Sequence, residues 1–230
     1  MQTGIETILQ ERFPNLNQTQ LGRFRRYFEI LVEVNQVMNL TAITEEDQVA
    51  VKHFADSLTL LPYLERFGVK SLADIGTGAG FPGIPLKIAC PDLQVTLIDS
   101  LEKRVGFLNR VIEELGLTGI SAVHARAEDA GRDPKFRSQF DVSVARAVAP
   151  MNILAEYCMP FVRKGGHFIA MKGPAEEAYD RAVSLLGGTQ VSDDLFTLAD
   201  MERRIICIRM DKNISTQYPR KAGIPKKKPL

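Results

Sequence analysis

The sequence predicts an α/β protein: a seven-stranded, mostly parallel sheet that finishes in an antiparallel hairpin, with a helical extension at its N-terminal end. Three observations carry this. From residue 67 onward, short β-rich runs alternate with segments of helical periodicity, the pattern of βαβ crossovers. Near residue 196 the alternation stops and two strand-like runs follow with no convincing helix between them. Residues 1–66, in contrast, read as helices throughout.

In the extension, Phe24, Tyr27, Phe28, Leu31 and Val34 recur at three- and four-residue steps, one apolar stripe on a helix from Gln18 to Asn39. A second helix is expected from Glu45 to Leu64, opened by the acidic turn Glu45-Glu46-Asp47 and bent or ended by Pro62. The strands are Ser71–Ile75, Gln94–Asp99, Ile120–His124, Phe140–Ala147 and His167–Met171, with Phe196–Leu198 and Arg204–Met210 as the hairpin. Helices are expected at Pro85–Ala89, Glu102–Leu115, Met151–Phe161 and Pro174–Leu186. The chain divides into an extension (1–66), a ligand-binding domain (67–211) and a tail (212–230).

Composition excludes several classes. With 45% apolar and 25% charged residues the chain is an ordinary globular one. It has no run long and apolar enough for a membrane span, and its first residues lack a signal peptide's plan. Cys90, Cys158 and Cys207 are widely spaced, which fits buried thiols in a reducing cytoplasm and no metal knuckle. Charge is unevenly placed. Residues 212–230 hold six of the 29 Lys and Arg and no acid, leaving 23 basic residues against 28 acidic ones elsewhere. Arg220, Lys221, Lys226, Lys227 and Lys228 are thus candidate phosphate contacts on a tail expected to be extended or disordered without a partner.

The segment Leu72-Ala73-Asp74-Ile75-Gly76-Thr77-Gly78-Ala79-Gly80-Phe81-Pro82-Gly83 joins an apolar strand to a helix through glycines, so a ligand can approach the backbone. It satisfies both the GxGxxG of dinucleotide enzymes and the DxGxGxG of methyltransferases. Asp74 favours the second, since a carboxylate there suits the ammonium of a methionine moiety and repels a pyrophosphate. Pro85 removes an N–H from the following helix start, and the terminal hairpin replaces a second mononucleotide-binding half. The expected ligand is therefore S-adenosylmethionine and the fold a Rossmann-like class I methyltransferase. Asp99, at the end of the second strand, can accept the ribose hydroxyls or cap the next helix. Ala127 and Glu128 follow the third strand, where they can read the adenine edge or form a plain surface loop. Arg146 interrupts an apolar run, and its partner is a methionine carboxylate, an RNA phosphate or an internal acid.

The chain has Ala145-Arg146-Ala147-Val148 where amine methyltransferases carry an Asn/Asp-Pro-Pro-aromatic run, and it has no Pro-Cys pair for pyrimidine C5 chemistry. A ring nitrogen that already owns a lone pair needs neither device. Small-molecule or protein methylation, and a non-catalytic binding module, remain the alternatives at this level.

Asn39-Leu40-Thr41-Ala42, His53-Phe54-Ala55-Asp56-Ser57-Leu58, Gly76–Leu86, Asp99-Ser100, Arg146-Ala147, Lys172-Gly173 and Tyr218–Gly223 together resemble the glucose-inhibited division protein B family, small-subunit ribosomal RNA guanine-N7 methyltransferases. The resemblance implies adenosylmethionine contacts from Gly76, Phe81, Ala127, Glu128 and Arg146, with Arg146 central to the active site. It implies a guanosine in the 530 loop of 16S rRNA as the target. Lys52 stands where relatives often carry arginine, which weakens any forked phosphate contact. Lys52, His53 and Lys172 are candidate RNA contacts, although a lone helical histidine is as often structural. No metal is expected.

Overall fold

The computed structural model describes residues 4–146 and 148–230. Five helical segments precede the sheet: α1 (Ile5–Arg12), α2 (Gln18–Met38), α3 (Glu46–Val49), α4 (Asp56–Leu58) and α5 (Leu61–Arg66). The α2 helix starts in a capping box, in which the Asn17 side chain accepts from the Gln20 amide and Gln20 accepts from the Asn17 amide. It buries Leu21, Phe24, Tyr27, Ile30 and Leu31, and ends at Asn39 in the left-handed conformation. The single helix expected from Glu45 to Leu64 is broken. A π-helical turn, Ala50–Ala55, joins α3 to α4, and the chain restarts at α5 with Pro62 in its first turn. Proline is tolerated there because a first-turn N–H has no partner to lose.

The sheet has β1 (Ser71–Ile75), β2 (Gln94–Asp99), β3 (Ile120–His124), β4 (Phe140–Arg146), β5 (Val162–Lys172), β6 (Gly188–Leu198) and β7 (Met201–Met210). The spatial order is β3-β2-β1-β4-β5-β7-β6, with the first five strands parallel and β7 antiparallel to both neighbours. Helices α6 (Gly83–Ala89), α7 (Glu102–Glu114), α8 (Ala127–Ala130), α9 (Met151–Cys158) and α10 (Asp180–Leu185) connect the strands, and α11 (Ile224–Lys227) lies in the tail. The expected fourth strand extended to Ala147, which lies outside the described residues.

One apolar cluster runs from Ile5 and Leu9 through Phe24, Tyr27 and Phe54 to Leu72, Val144 and Cys207, so the extension and one face of the sheet share a core. A second cluster, with Phe161, Phe168, Met151 and Ile206, fills the other face. Polar ties reinforce the first. The buried Gln20 amide donates to the Ile88 and Ala89 carbonyls at the end of α6, and the Tyr27 hydroxyl donates to the Ala79 carbonyl. No helix among the described residues is long and apolar enough to cross a membrane.

Strand order reverses between β1 and β4, leaving a crevice at their carboxyl ends. In sheets of this kind that is where ligands bind.

Candidate active site

The loop after β1 turns back through Gly76, Gly78 and Gly80, at φ of 69°, 61° and 97°. A side chain at Gly80 would be strained by its φ and would place its Cβ 2.6 Å from both Ile84 and the Tyr27 hydroxyl. Above Gly78 there is open space, with nothing within 4 Å of a Cβ built there. The Gly78 amide donates to Asp99 at 2.9 Å, and the other Asp99 oxygen accepts the Leu101 amide. Asp99 thus braces the loop and the entry to α7 at once, while Arg104 lies 3.5 Å from it.

Asp74 is placed differently from expectation. It is fully buried, and one oxygen accepts from the Thr77 hydroxyl at 2.7 Å and the Gly83 amide at 2.8 Å. It holds the loop from beneath, with no open face to a methionine ammonium. Its other oxygen, Oδ1, is buried without a hydrogen-bond partner among the described residues. Burial pushes the Asp74 carboxyl up to about 6.

Two cavities open at this crevice. One, of about 200 Å³, runs past Gly76, Ile98 and Ser100 to Ala125, Ala127 and Glu128, and is closed by Gly223 and Lys226. An open glycine cradle and a slot reaching a buried Glu128 fit adenosylmethionine. Gly76, Ala127 and Glu128 line this slot. Asp99 braces the loop beside it, Gly78 and Gly80 shape the turn, and Phe81 is buried against Tyr27, His53 and Phe54.

The second cavity, of about 310 Å³, is lined by Lys52, His53, Asp56, Arg146, Lys172, Arg203 and Arg204, with Phe196 and Met171 as apolar walls. Arg146, at the end of β4, takes the internal-acid option. Its guanidinium donates to Asp56 at 2.9 Å and to the Lys52 carbonyl, and lies 4.9 Å from the Phe81 ring centre. Arg203 holds the other Asp56 oxygen at 2.8 Å. Asp56 is nearly inaccessible, and two guanidinium groups compensate the cost of burying its charge.

His53 stacks on Phe81, ring centres 4.6 Å apart. Its Nε2 meets the Thr41 hydroxyl at 2.8 Å, and its Nδ1 the Lys52 carbonyl and the Arg146 guanidinium. Burial, and then the Arg146 charge, hold its pKa down at about 4, so it is neutral at pH 7. A neutral ring with both nitrogens engaged is a prop for Arg146 and Phe81. It is not a cation for a phosphate, which corrects the RNA role considered for it. Lys172 lines the cavity but is paired with Glu177 at 2.6 Å and donates to the Ala149 carbonyl.

The tail departs most from expectation. Tyr218 is buried, and Arg220 forks onto Glu156, a carboxylate with no exposed side-chain surface. Arg137 donates to the carbonyls of Ile214, Ser215 and Tyr218, and Arg132 to that of Pro219. The tail is a docked hook where an extended one was expected, and Arg220 fixes it in place, no longer free to grip a phosphate. Lys221, Lys226, Lys227 and Lys228 stay exposed.

Asp56, Arg203 and Arg204 escaped the sequence reading. Asp56 sits three residues after His53, a same-face spacing that was readable. For Arg203 and Arg204 the only signal was a charged pair at the start of an otherwise apolar strand.

A mostly parallel sheet with an antiparallel last pair, a glycine cradle after β1 and a ligand crevice at the β1/β4 switch define a class I adenosylmethionine-dependent methyltransferase. Solved structures agree on the fold. The chain resembles the magnesium protoporphyrin IX methyltransferase of Synechocystis, which has bound SAM, with a TM-score of 0.55 and 18% identity over 89% of this chain and 97% of that one. It also resembles TrmN from Thermus thermophilus, with a TM-score of 0.52 and 17% identity over 70% and 53%. The particular family follows from sequence. A family model described as rRNA small subunit methyltransferase G matches residues 20–186. The proteins of that name from Acetivibrio thermocellus and Leuconostoc mesenteroides are each 50% identical to this chain, covering 94% of it and 91% and 93% of their own lengths. The chain belongs to the rRNA small subunit methyltransferase G family.

Proposed function

We propose that the protein transfers the methyl group of S-adenosylmethionine to N7 of a guanosine in the 530 loop of 16S rRNA, acting in the cytoplasm on free rRNA or the small ribosomal subunit. The observation that carries this is the pair of cavities at one switch point: a nucleoside slot beside the glycine loop and a cationic pocket that holds Arg146. Five basic side chains and one carboxylate line the pocket, an electrostatic setting for an RNA strand and against a neutral metabolite.

Bound adenosylmethionine supplies an electrophilic sulfonium methyl. The residues supply orientation. Phe81, buried against His53 and Arg146, follows the glycine cradle directly and backs the Arg146 side chain that lines the pocket. Asp56 is clamped by two arginines and His53 has both nitrogens occupied, so neither is a free base to remove a proton from an amine. Burial pushes the thiols of Cys158 and Cys207 up, the latter to about 11, and that of Cys90 up as well. Thiolate attack on a pyrimidine needs the reverse shift. Guanine N7 attacks with its in-plane lone pair and sheds no proton before doing so. Lys52 and, once released from their acidic partners, Lys172 and Arg204 are the pocket's phosphate contacts in this reading, while Arg203 stays on Asp56 and the exposed tail lysines add long-range attraction.

Methylation at N7 makes the ring cationic and alkali-labile. Modified 16S rRNA treated with borohydride and aniline should give one new primer-extension stop, at a guanosine in the 530 loop. Methyl incorporation with no aniline-sensitive site would refute N7 as the acceptor.

Asp74 gives cofactor binding a pH dependence. Without ligand its carboxyl titrates near 6. The positive charge of bound adenosylmethionine favours the ionised form and lowers that value, so binding releases a proton below pH 6. Affinity should be flat at neutral pH and weaken as pH falls through 6, approaching roughly tenfold per unit. Calorimetry between pH 5 and 8 reads this directly, and Asp74→Asn should flatten the curve.

A further inference from the structure

The hook is anchored more firmly than a solvated end requires. Glu156 has no exposed side-chain surface, and the Arg220 guanidinium and backbone amide supply its hydrogen bonds. A carboxylate so buried cannot be left unpaired without a large penalty. This anchor fixes where the next residues go. Gly223, at φ 82°, a conformation that favours glycine, donates its amide to Glu128 Oε1 at 2.8 Å. Gly223 and Lys226 then close the far end of the nucleoside slot, opposite Ile98 and Ser100.

We propose that residues 218–227 form the outer wall of the adenine end of the cofactor site, and that the Gly223 amide positions Glu128 as acceptor for the exocyclic amine of adenine. The proposal rests on the assignment of Glu128 to the cofactor. A free glutamate side chain rotates among several rotamers, whereas one oxygen held by a backbone donor leaves the other aimed in a fixed direction. A carboxylate acceptor matches the adenine amine and opposes the carbonyl oxygen of hypoxanthine at the same ring position. The hook therefore contributes affinity and base selectivity, and Gly223 is a positioning residue acting through Glu128.

The test uses the full-length chain, with S-adenosylhomocysteine and its deaminated analogue S-inosylhomocysteine as probes. The unaltered protein should prefer the adenine form. Gly223→Pro removes the donor and, because proline cannot adopt φ 82°, also displaces the hook beyond the Arg220–Glu156 anchor. It should weaken S-adenosylhomocysteine binding about tenfold, the loss expected for one hydrogen bond to a charged group, and shrink the preference over the inosine analogue. Hydrogen exchange on the unaltered chain needs no folded variant: S-adenosylhomocysteine should slow exchange at the amides of Gly223, Ile224, Lys226 and Lys227. No added protection there, or a folded Gly223→Pro variant with unchanged affinity and selectivity, overturns the proposal. Failure of the unaltered chain to bind S-adenosylhomocysteine at all would instead undo the cofactor assignment itself.

Discussion

Arg146→Ala is expected to reduce methyl transfer to 16S rRNA by about 100-fold or more, the range for removing one preorganised charged donor from an active site. The residue joins three parts of the site: it neutralises Asp56, covers the Phe81 ring and backs His53. Alanine also leaves the buried Asp56 with Arg203 as its one remaining ion-pair partner. Breaking a buried pair from one side costs about 3–5 kcal/mol, and Arg203 keeps the loss to the lower part of that range. Over a chain of 230 residues this is a fall in Tm of roughly 6 to 12 °C. The double variant Asp56→Asn/Arg146→Ala separates the two effects, since it should recover much of the stability and none of the activity. An Arg146→Ala protein that methylates at the normal rate would show that the site lies elsewhere.

The second large effect is at Gly83, the first residue of α6. A Cβ there would lie 2.4 Å from the Leu97 side chain and 2.9 Å from the Asp74 carboxylate oxygen that accepts the Gly83 amide. Both neighbours are fully buried, so neither has room to move aside. Gly83→Ala should destabilise the fold by about 1–3 kcal/mol through overpacking. It should also weaken adenosylmethionine binding, because Asp74 is pushed away from the loop it supports. Thermal melts with and without cofactor check both parts: the melting point should drop, and the rise on adding ligand should shrink. A normal ligand-induced rise would detach Asp74 from cofactor binding.

The fold was legible in the sequence where apolar residues recur at a regular period. The strands β1, β2 and β3 and the helix α2 carry apolar residues at periods that no loop sustains, and their observed bounds agree closely with expectation. Legibility failed where polar residues or glycines interrupt that period. The edge strand β6 exposes much of its length, so Gly188–Leu195 reads as polar linker and only its end is conspicuous. In β5, Gly165 and Gly166 hide the start; at Gly166 a Cβ would lie 2.4 Å from the Asp141 carbonyl, so close strand packing requires the glycine.

The candidate site shows the same division. Gly76, Ala127, Glu128 and Arg146 were legible as candidates because they sit at or just after strand ends in one sheet, which local pattern reveals. Arg146's partner was not found, because pairing with Asp56 is a tertiary event. Six tail cations with no acid nearby looked like a free polyelectrolyte. Glu156, the acid that docks Arg220, lies 64 residues upstream within an apolar helix.

The Asp56 clamp also bears on the order in which the molecule assembles. One arm, Arg146, is 90 residues away in sequence, and the other, Arg203, is 147 residues away on the last strand to be synthesised. Contacts so distant along the chain form late in folding, after the cost of closing long loops has been met. A nascent chain that ends before β7 lacks one arm of the clamp and the strand between β5 and β6, so it has neither a fully clamped Asp56 nor a finished sheet edge. Methylating competence therefore has to wait for the last part of the chain.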